Sequence, residues 1–136
     1  MADTFLLEIV TPYRRLLSTE VSEVTAPGAE GEFGVLAGHA AYLTLIKPGE
    51  ISYKKGADSG LFAVGSGYAE VLPDKTTILV ESAETASEID VEKAKATLAA
   101  SEESLKKLSP ADAEYSATVN AYELSQARIR VKERQR

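Results

Sequence analysis

The period of the apolar pattern changes near Ser82, and that change limits the chain to an α+β architecture with its strands first. From Thr4 to about Ser82 the sequence runs in short β-rich segments: FLLEIV, VSEVTA, YLTLI, ISYK, LFAV, YAEVL and TTILVES. Several alternate, with Tyr68, Glu70 and Leu72 on one face and Ala69 and Val71 on the other. Turn residues separate them at Pro12, Pro27-Gly28, Pro48-Gly49, Lys55-Gly56, Gly65-Ser66-Gly67 and Pro73-Asp74. Proline presets φ, and glycine takes φ > 0 without steric cost. Short strands at a spacing of about ten residues predict an antiparallel sandwich or barrel.

Beyond Ser82 the spacing becomes helical. Asp90 is placed to cap a helix on which Val91, Ala94, Leu98, Leu105 and Leu108 share a face. Ser109-Pro110-Ala111-Asp112 breaks it, and Asp112 is placed to cap a second helix with the stripe Ala113, Ala117, Ala121, Leu124 and Val131. Helices of about 18 and 20 residues across a four-residue break predict an antiparallel hairpin. Alanine-rich stripes bury little area, at about 25 cal/mol per Å². Two readings follow: a hairpin that simply packs on the sandwich, and one held weakly enough to leave it.

Charge separates the two ends of the chain. The net charge is −6, which opposes nonspecific binding to nucleic acid. The last nine residues, RIRVKERQR, set Arg128, Arg130, Lys132, Arg134 and Arg136 against Glu133, a net +4, which leaves −10 on residues 1–127. Such a basic tip seeks an acidic surface. There are no cysteines, so disulfides, thiolate catalysis and cysteine metal sites are excluded. The apolar runs, such as LTLI at 43–46, are too short to span a bilayer. The start MADTFLLEIVTPYRR reads as no targeting peptide, with acidic Asp3 and an apolar stretch broken by Glu8 and Pro12.

The segment GEFGVLAGHAAYLTLIKPG, residues 31–49, crowds glycines around the chain's one histidine. A phosphate loop needs Gly-Lys followed by a hydroxyl, and a dinucleotide loop needs a following helix. Gly38 is followed by His39-Ala40 and then a strand. His39 lacks a nucleophile partner at any motif spacing, and one histidine without cysteine makes a zinc site improbable. Paired acids at Glu30/Glu32, Glu81/Glu84/Glu88 and Glu102/Glu103 do not read as a glycosidase pair. The loop therefore reads as structural or docking, and nothing supports catalysis.

The run Glu30-Gly31-Glu32-Phe33-Gly34-Val35-Leu36-Ala37-Gly38-His39-Ala40 resembles the G-E-[LF]-G-x-L-x-G-H-A-P signature of the epsilon subunit of bacterial F-type ATP synthase. The order of segments also matches: VTP, the loop, Lys47-Pro48-Gly49, FAVGSGYAEV, TILVESAE, then Ile89-Asp90 and a helical hairpin. Ala41 stands where the family commonly has proline, and Gly65-Ser66-Gly67 where Ser-Gly-Gly is usual.

The resemblance implies a flattened β-sandwich of about ten strands (residues 1–85), followed by a regulatory two-helix hairpin (residues 86–136). It implies a non-catalytic subunit of the central rotor stalk that links the gamma subunit to the c ring. Gly31, Glu32, Gly34, Gly38 and His39 would lie at those contacts, Glu32 near the c ring and His39 near gamma. The hairpin would fold on the sandwich or extend into the alpha/beta catalytic head and block hydrolysis, with Arg128, Arg130, Lys132 and Arg134 meeting an acidic segment there. No cofactor is required. Some members bind ATP through an I/L-D-x-x-R-A motif, and here the matching positions are Ile89, Asp90, Lys93 and Ala94, with Glu84 and Arg130 as contributors. Lysine replaces the bidentate arginine, and Ala100 stands where binders can carry another, so regulatory ATP binding would be weak. The location implied is peripheral, on the cytoplasmic face of the bacterial inner membrane, with membrane contact only through the c ring. An alternative from the residues alone is a free-standing ligand-binding sandwich with a helical tail. It would need clustered exposed aromatics, yet there is no tryptophan, and Tyr13, Tyr42, Tyr53 and Tyr68 are scattered.

Overall fold

The computed structural model describes residues 3–134. Ten strands precede two helices among these residues: β1 (Phe5–Val10), β2 (Arg15–Val21), β3 (Glu23–Gly28), β4 (Gly31–Leu36), β5 (Tyr42–Ile46), β6 (Gly49–Lys55), β7 (Asp58–Val64), β8 (Gly67–Leu72), β9 (Lys75–Val80) and β10 (Ala83–Glu84). A short 3₁₀ turn, Ala86–Glu88, leads to α1 (Val91–Leu105) and α2 (Tyr115–Arg134). The strands hydrogen-bond in the order β10-β7-β6-β3-β5-β8-β9-β1-β2, with β4 on β3. The two halves of this order join through one residue pair, Gly28 with Ile46, and fold over each other as a sandwich.

Alternation dictates the core. On β1, Phe5, Leu7 and Ile9 turn inward, as do Ala69 and Val71 on β8 and Ile78 and Val80 on β9. They meet Val24, Val35, Ile51, Phe62 and Val64 in one cluster. Truncating such a side chain to alanine costs about 2–5 kcal/mol.

The structure adds detail that the punctuation did not carry. Most pairs are antiparallel as expected, but β1 runs parallel to β9. Strands β2 and β4 lie outside the segments expected from composition. In β2 the register steps between Ile9 and Val10, so that Leu17 pairs with Ile9 while Arg15 pairs with Val10. This bulge leaves Leu16 unpaired, and both Leu16 and Leu17 pack against the core, which erases the alternation. Pro27-Gly28 is strand rather than turn. The β3–β6 ladder stops at Thr25, so Pro27 sits where no donor is needed, and its carbonyl accepts from Lys47 N at 3.0 Å.

The hairpin differs in length and capping. Asp90 caps α1 as expected, its carboxylate accepting from Lys93 N at 3.1 Å. α1 has 15 residues rather than about 18. Asp112 does not cap α2, which starts three residues later at Tyr115. Its carboxylate instead accepts from Ser109 N at 2.7 Å, while its own N–H donates to Ser109 O at 2.9 Å. That reciprocal pair closes the turn around Pro110 and satisfies donors that a helix start would otherwise orphan. Of the two expected stripes, Ala94 and Val131 are buried and Leu98, Leu105 and Leu124 half-buried, whereas Ala113 and Ala117 are exposed.

Candidate functional site: the sandwich rim and the docked hairpin

The glycine segment is mostly strand. Gly31 opens β4 and Gly38 follows it, with φ of 129° and 81°, where an L side chain would be strained. Gly34 lies within β4 at ordinary φ, with only Val24 O at 3.9 Å from the position a β-carbon would take. The structure therefore separates the expected contact residues. Gly31 and the exposed Glu32 stand at one end of β4, in a cleft shared with Pro48, Glu50 and Arg130. Gly38 and half-buried His39 stand at the other, where Gly38 N donates to Pro73 O at 2.9 Å. The His39 ring lies beside Tyr42, centroids 6.3 Å apart, and its Nδ1 is 2.7 Å from Ala40 O.

One face of the sandwich is bare and apolar. Leu43 and Leu45 on β5 face the same way as Tyr68 on β8, which pairs with Leu45. Their exposures of 69%, 65% and 48% are high for residues of this size. Sequence reasoning missed this surface. Its signal was the run YLTLI, whose alternation sets Thr44 and Ile46 on one face and the two leucines on the other.

The hairpin is folded down over β6 and β7, and Asn120 of α2 shares a cleft with Leu45 and Tyr68. Ala127 and Val131 of α2 pack on Ala63, Ala86 and Ile89, with Leu61 at the edge. These are small contacts, as the alanine stripes suggested. The basic tip supplies the rest. Arg128 Nε donates to Glu84 Oε1 at 2.5 Å, Arg130 Nε to Glu50 Oε2 at 2.7 Å, and Arg134 Nη1 to Glu50 Oε1 at 2.5 Å. Lys132 Nζ donates to the carbonyl of Ala86 at 2.9 Å. The acidic surface met by the tip is thus the chain's own sandwich; Arg136 lies outside the described residues. At Ser125 the contact is imperfect: the side chain is fully buried and its hydroxyl has no partner.

Two carboxyls titrate low. Glu88 accepts from Thr85 N at 3.0 Å and from Arg14 Nη2 at 2.9 Å, and these bonds hold its carboxyl below the usual range. Glu8, on β1, is lowered by Lys75 at 3.0 Å and Arg15 at 3.2 Å.

The positions expected to bind ATP lie at the start of α1 and where α2 meets the sandwich. Ile89 and Ala94 are buried, Asp90 caps α1, and Lys93 is exposed. Glu84 is engaged by Arg128 and Arg130 by Glu50. Among the described residues, no helix is long and apolar enough to cross a membrane.

Known proteins resemble this chain in sequence and in fold. Residues 4–86 match the family model for the beta-sandwich domain of the ATP synthase delta/epsilon chain. The chain is 53% identical to an ATP synthase epsilon chain of Geotalea uraniireducens, over 96% of this chain and 95% of that one. It is 51% identical to the epsilon chain of Geobacter metallireducens over the same shares. Among solved structures it resembles a chain of the Euglena gracilis mitochondrial ATP synthase OSCP/F1/c-ring assembly, at TM-score 0.79 and 25% identity, over 93% of this chain and 80% of that one. A chain of the Tetrahymena thermophila central stalk/c-ring structure shares the fold, at TM-score 0.56 and 18% identity, over 95% of this chain and 93% of that one.

Proposed function

The chain belongs to the delta/epsilon family of ATP synthase, and on that footing we propose that it is a non-catalytic central-stalk subunit whose sandwich joins gamma to the c ring. The observation that carries this reading is the bare strip of Leu43, Leu45 and Tyr68, an apolar face that a free-standing protein leaves exposed at a cost in solubility. In the assembled enzyme this strip packs on gamma. The two ends of β4 are polar and tight-turning contacts, Gly31-Glu32 near the c ring and Gly38-His39 near gamma. The subunit sits peripherally on the cytoplasmic face of the membrane and touches the bilayer only through the c ring.

The hairpin regulates hydrolysis. Small apolar contacts and ion pairs hold it down, and neither kind of contact fixes one state strongly. Released, its basic face meets acidic groups on the alpha/beta head. Reconstitution tests both parts of the reading. A chain lacking residues 110–136 assembles and couples normally while ATPase activity rises. A Leu43→Asp, Leu45→Asp variant fails to assemble. Unchanged ATPase with the truncated chain rules out the inhibitory role, and full assembly of the aspartate variant rules out docking through this face.

Regulatory ATP is a weak ligand in this reading, held by Lys93 and Asp90 beside Ile89 and Ala94, with Glu84 and Arg130 shared between nucleotide and ion pairs. Calorimetry of the isolated chain with millimolar MgATP should give a small heat, and none at all removes the site.

A further inference from the structure

Glu50 of the sandwich is shared by two arginines of the hairpin. It lies on β6 directly opposite Ala63 of β7, so it borders the floor on which Ala127 and Val131 rest. Its side chain is 17% exposed, less than Glu84, the other sandwich acid that meets α2, at 26%. Each oxygen is taken by a different arginine, Oε2 by Arg130 at 2.7 Å and Oε1 by Arg134 at 2.5 Å. Those arginines are four residues apart on one helix, so they project from the same face and repel each other when unpaired. A single carboxylate between them converts that repulsion into attraction and orients the last turn of α2 along the sandwich rim. The pairs are partly solvated, with Arg130 and Arg134 side chains 49% and 60% exposed, so salt weakens them.

We propose that Glu50 is the docking anchor of the hairpin, an internal decoy that occupies Arg130 and Arg134 and so withholds them from any external acidic partner while the hairpin is down. Docking and partner binding then exclude each other because both need the same two guanidinium groups. Salt and loss of the Glu50 charge act alike, by lowering the energy of release. The inference deepens the regulatory reading, but its test does not depend on the synthase: it is made on the isolated full-length chain.

The chain has no cysteine, so Ala127→Cys gives a single thiol at a position buried only while α2 is docked. In that background Glu50→Gln should raise the rate of thiol labelling at low salt roughly fivefold, the size set by the loss of partly exposed ion pairs. Moderate salt should accelerate the parent more than the Glu50→Gln chain, in which the Arg128–Glu84 pair is still left to screen. A swap, Glu50→Arg with Arg130→Glu and Arg134→Glu, should return labelling toward the parental rate. Glu70→Gln, on the outward face of β8, should have no effect. Amide exchange in α2 of chains retaining Ala127 repeats the comparison without the reporter. Parental labelling in Glu50→Gln, a swap that labels as fast as Glu50→Gln alone, or an equal effect of Glu70→Gln would overturn the anchor. The ATPase effect of truncation would stand in any of these cases, so failure here is distinct from failure of the regulatory function.

Discussion

Gly67 of β8 lies directly against Leu79 of β9: a β-carbon at Gly67 would overlap the Leu79 carbonyl oxygen and stand 2.7 Å from the Cα of Val80. The glycine opens β8 at its pairing with both Ile46 and Val80, so backbone lies on each side of it. Its role is close approach.

Gly67→Ala should therefore cost about 3 kcal/mol or more, because backbone rather than a flexible side chain must move. Gly34→Ala should change stability by no more than about 1 kcal/mol, since its φ is ordinary and the space is open. Urea titration of the two variants checks the contrast. If Gly34→Ala proves as damaging as Gly67→Ala, the account of β4 is wrong.

Ser125→Ala should stabilise the docked hairpin. The Ser125 hydroxyl is buried without a partner, and removing such a group recovers about 1 kcal/mol of desolvation. Slower amide exchange along α2 is the expected readout. Faster exchange would mean that the hydroxyl is satisfied when the hairpin is down.

Glu88 gives a pH signature. Its folded carboxyl titrates below the ordinary glutamate value of about 4.3, chiefly through the bond from Thr85 N and then through Arg14. A depressed carboxyl contributes stability above the unfolded value and loses it as pH falls through the folded value. Glu88→Gln should thus melt slightly lower than the parent at pH 7, by under about 1 kcal/mol because the pair with Arg14 is largely exposed. The gap should close below about pH 4. A gap that widens on acidification would reverse the sign of the argument.

The sequence carried the two-part architecture, the Asp90 cap and the family signature, because each rests on local chemistry: period, capping residue and motif. It could not carry the parallel pairing of β1 with β9, which joins segments far apart in the chain. β2 was hidden by a bulge that puts adjacent Leu16 and Leu17 against the core. The motif also grouped Gly31, Glu32, Gly38 and His39, though the extended strand β4 holds the pairs apart. The basic tip was visible as charge. Its partners Glu50 and Glu84 were not, because nothing local marks a glutamate as facing a helix that lies 44 or 80 residues further along the chain.

The parallel pairing of β1 and β9 also orders events during synthesis. Phe5–Val10 can pair with β2 as soon as that strand leaves the ribosome, but its other edge waits for Lys75–Val80. Until then a half-satisfied strand end invites wrong partners. Once residues 75–80 emerge, the sheet closes with the hairpin still unmade. The hairpin is then added to a finished support, so shortening it need not disturb the sandwich.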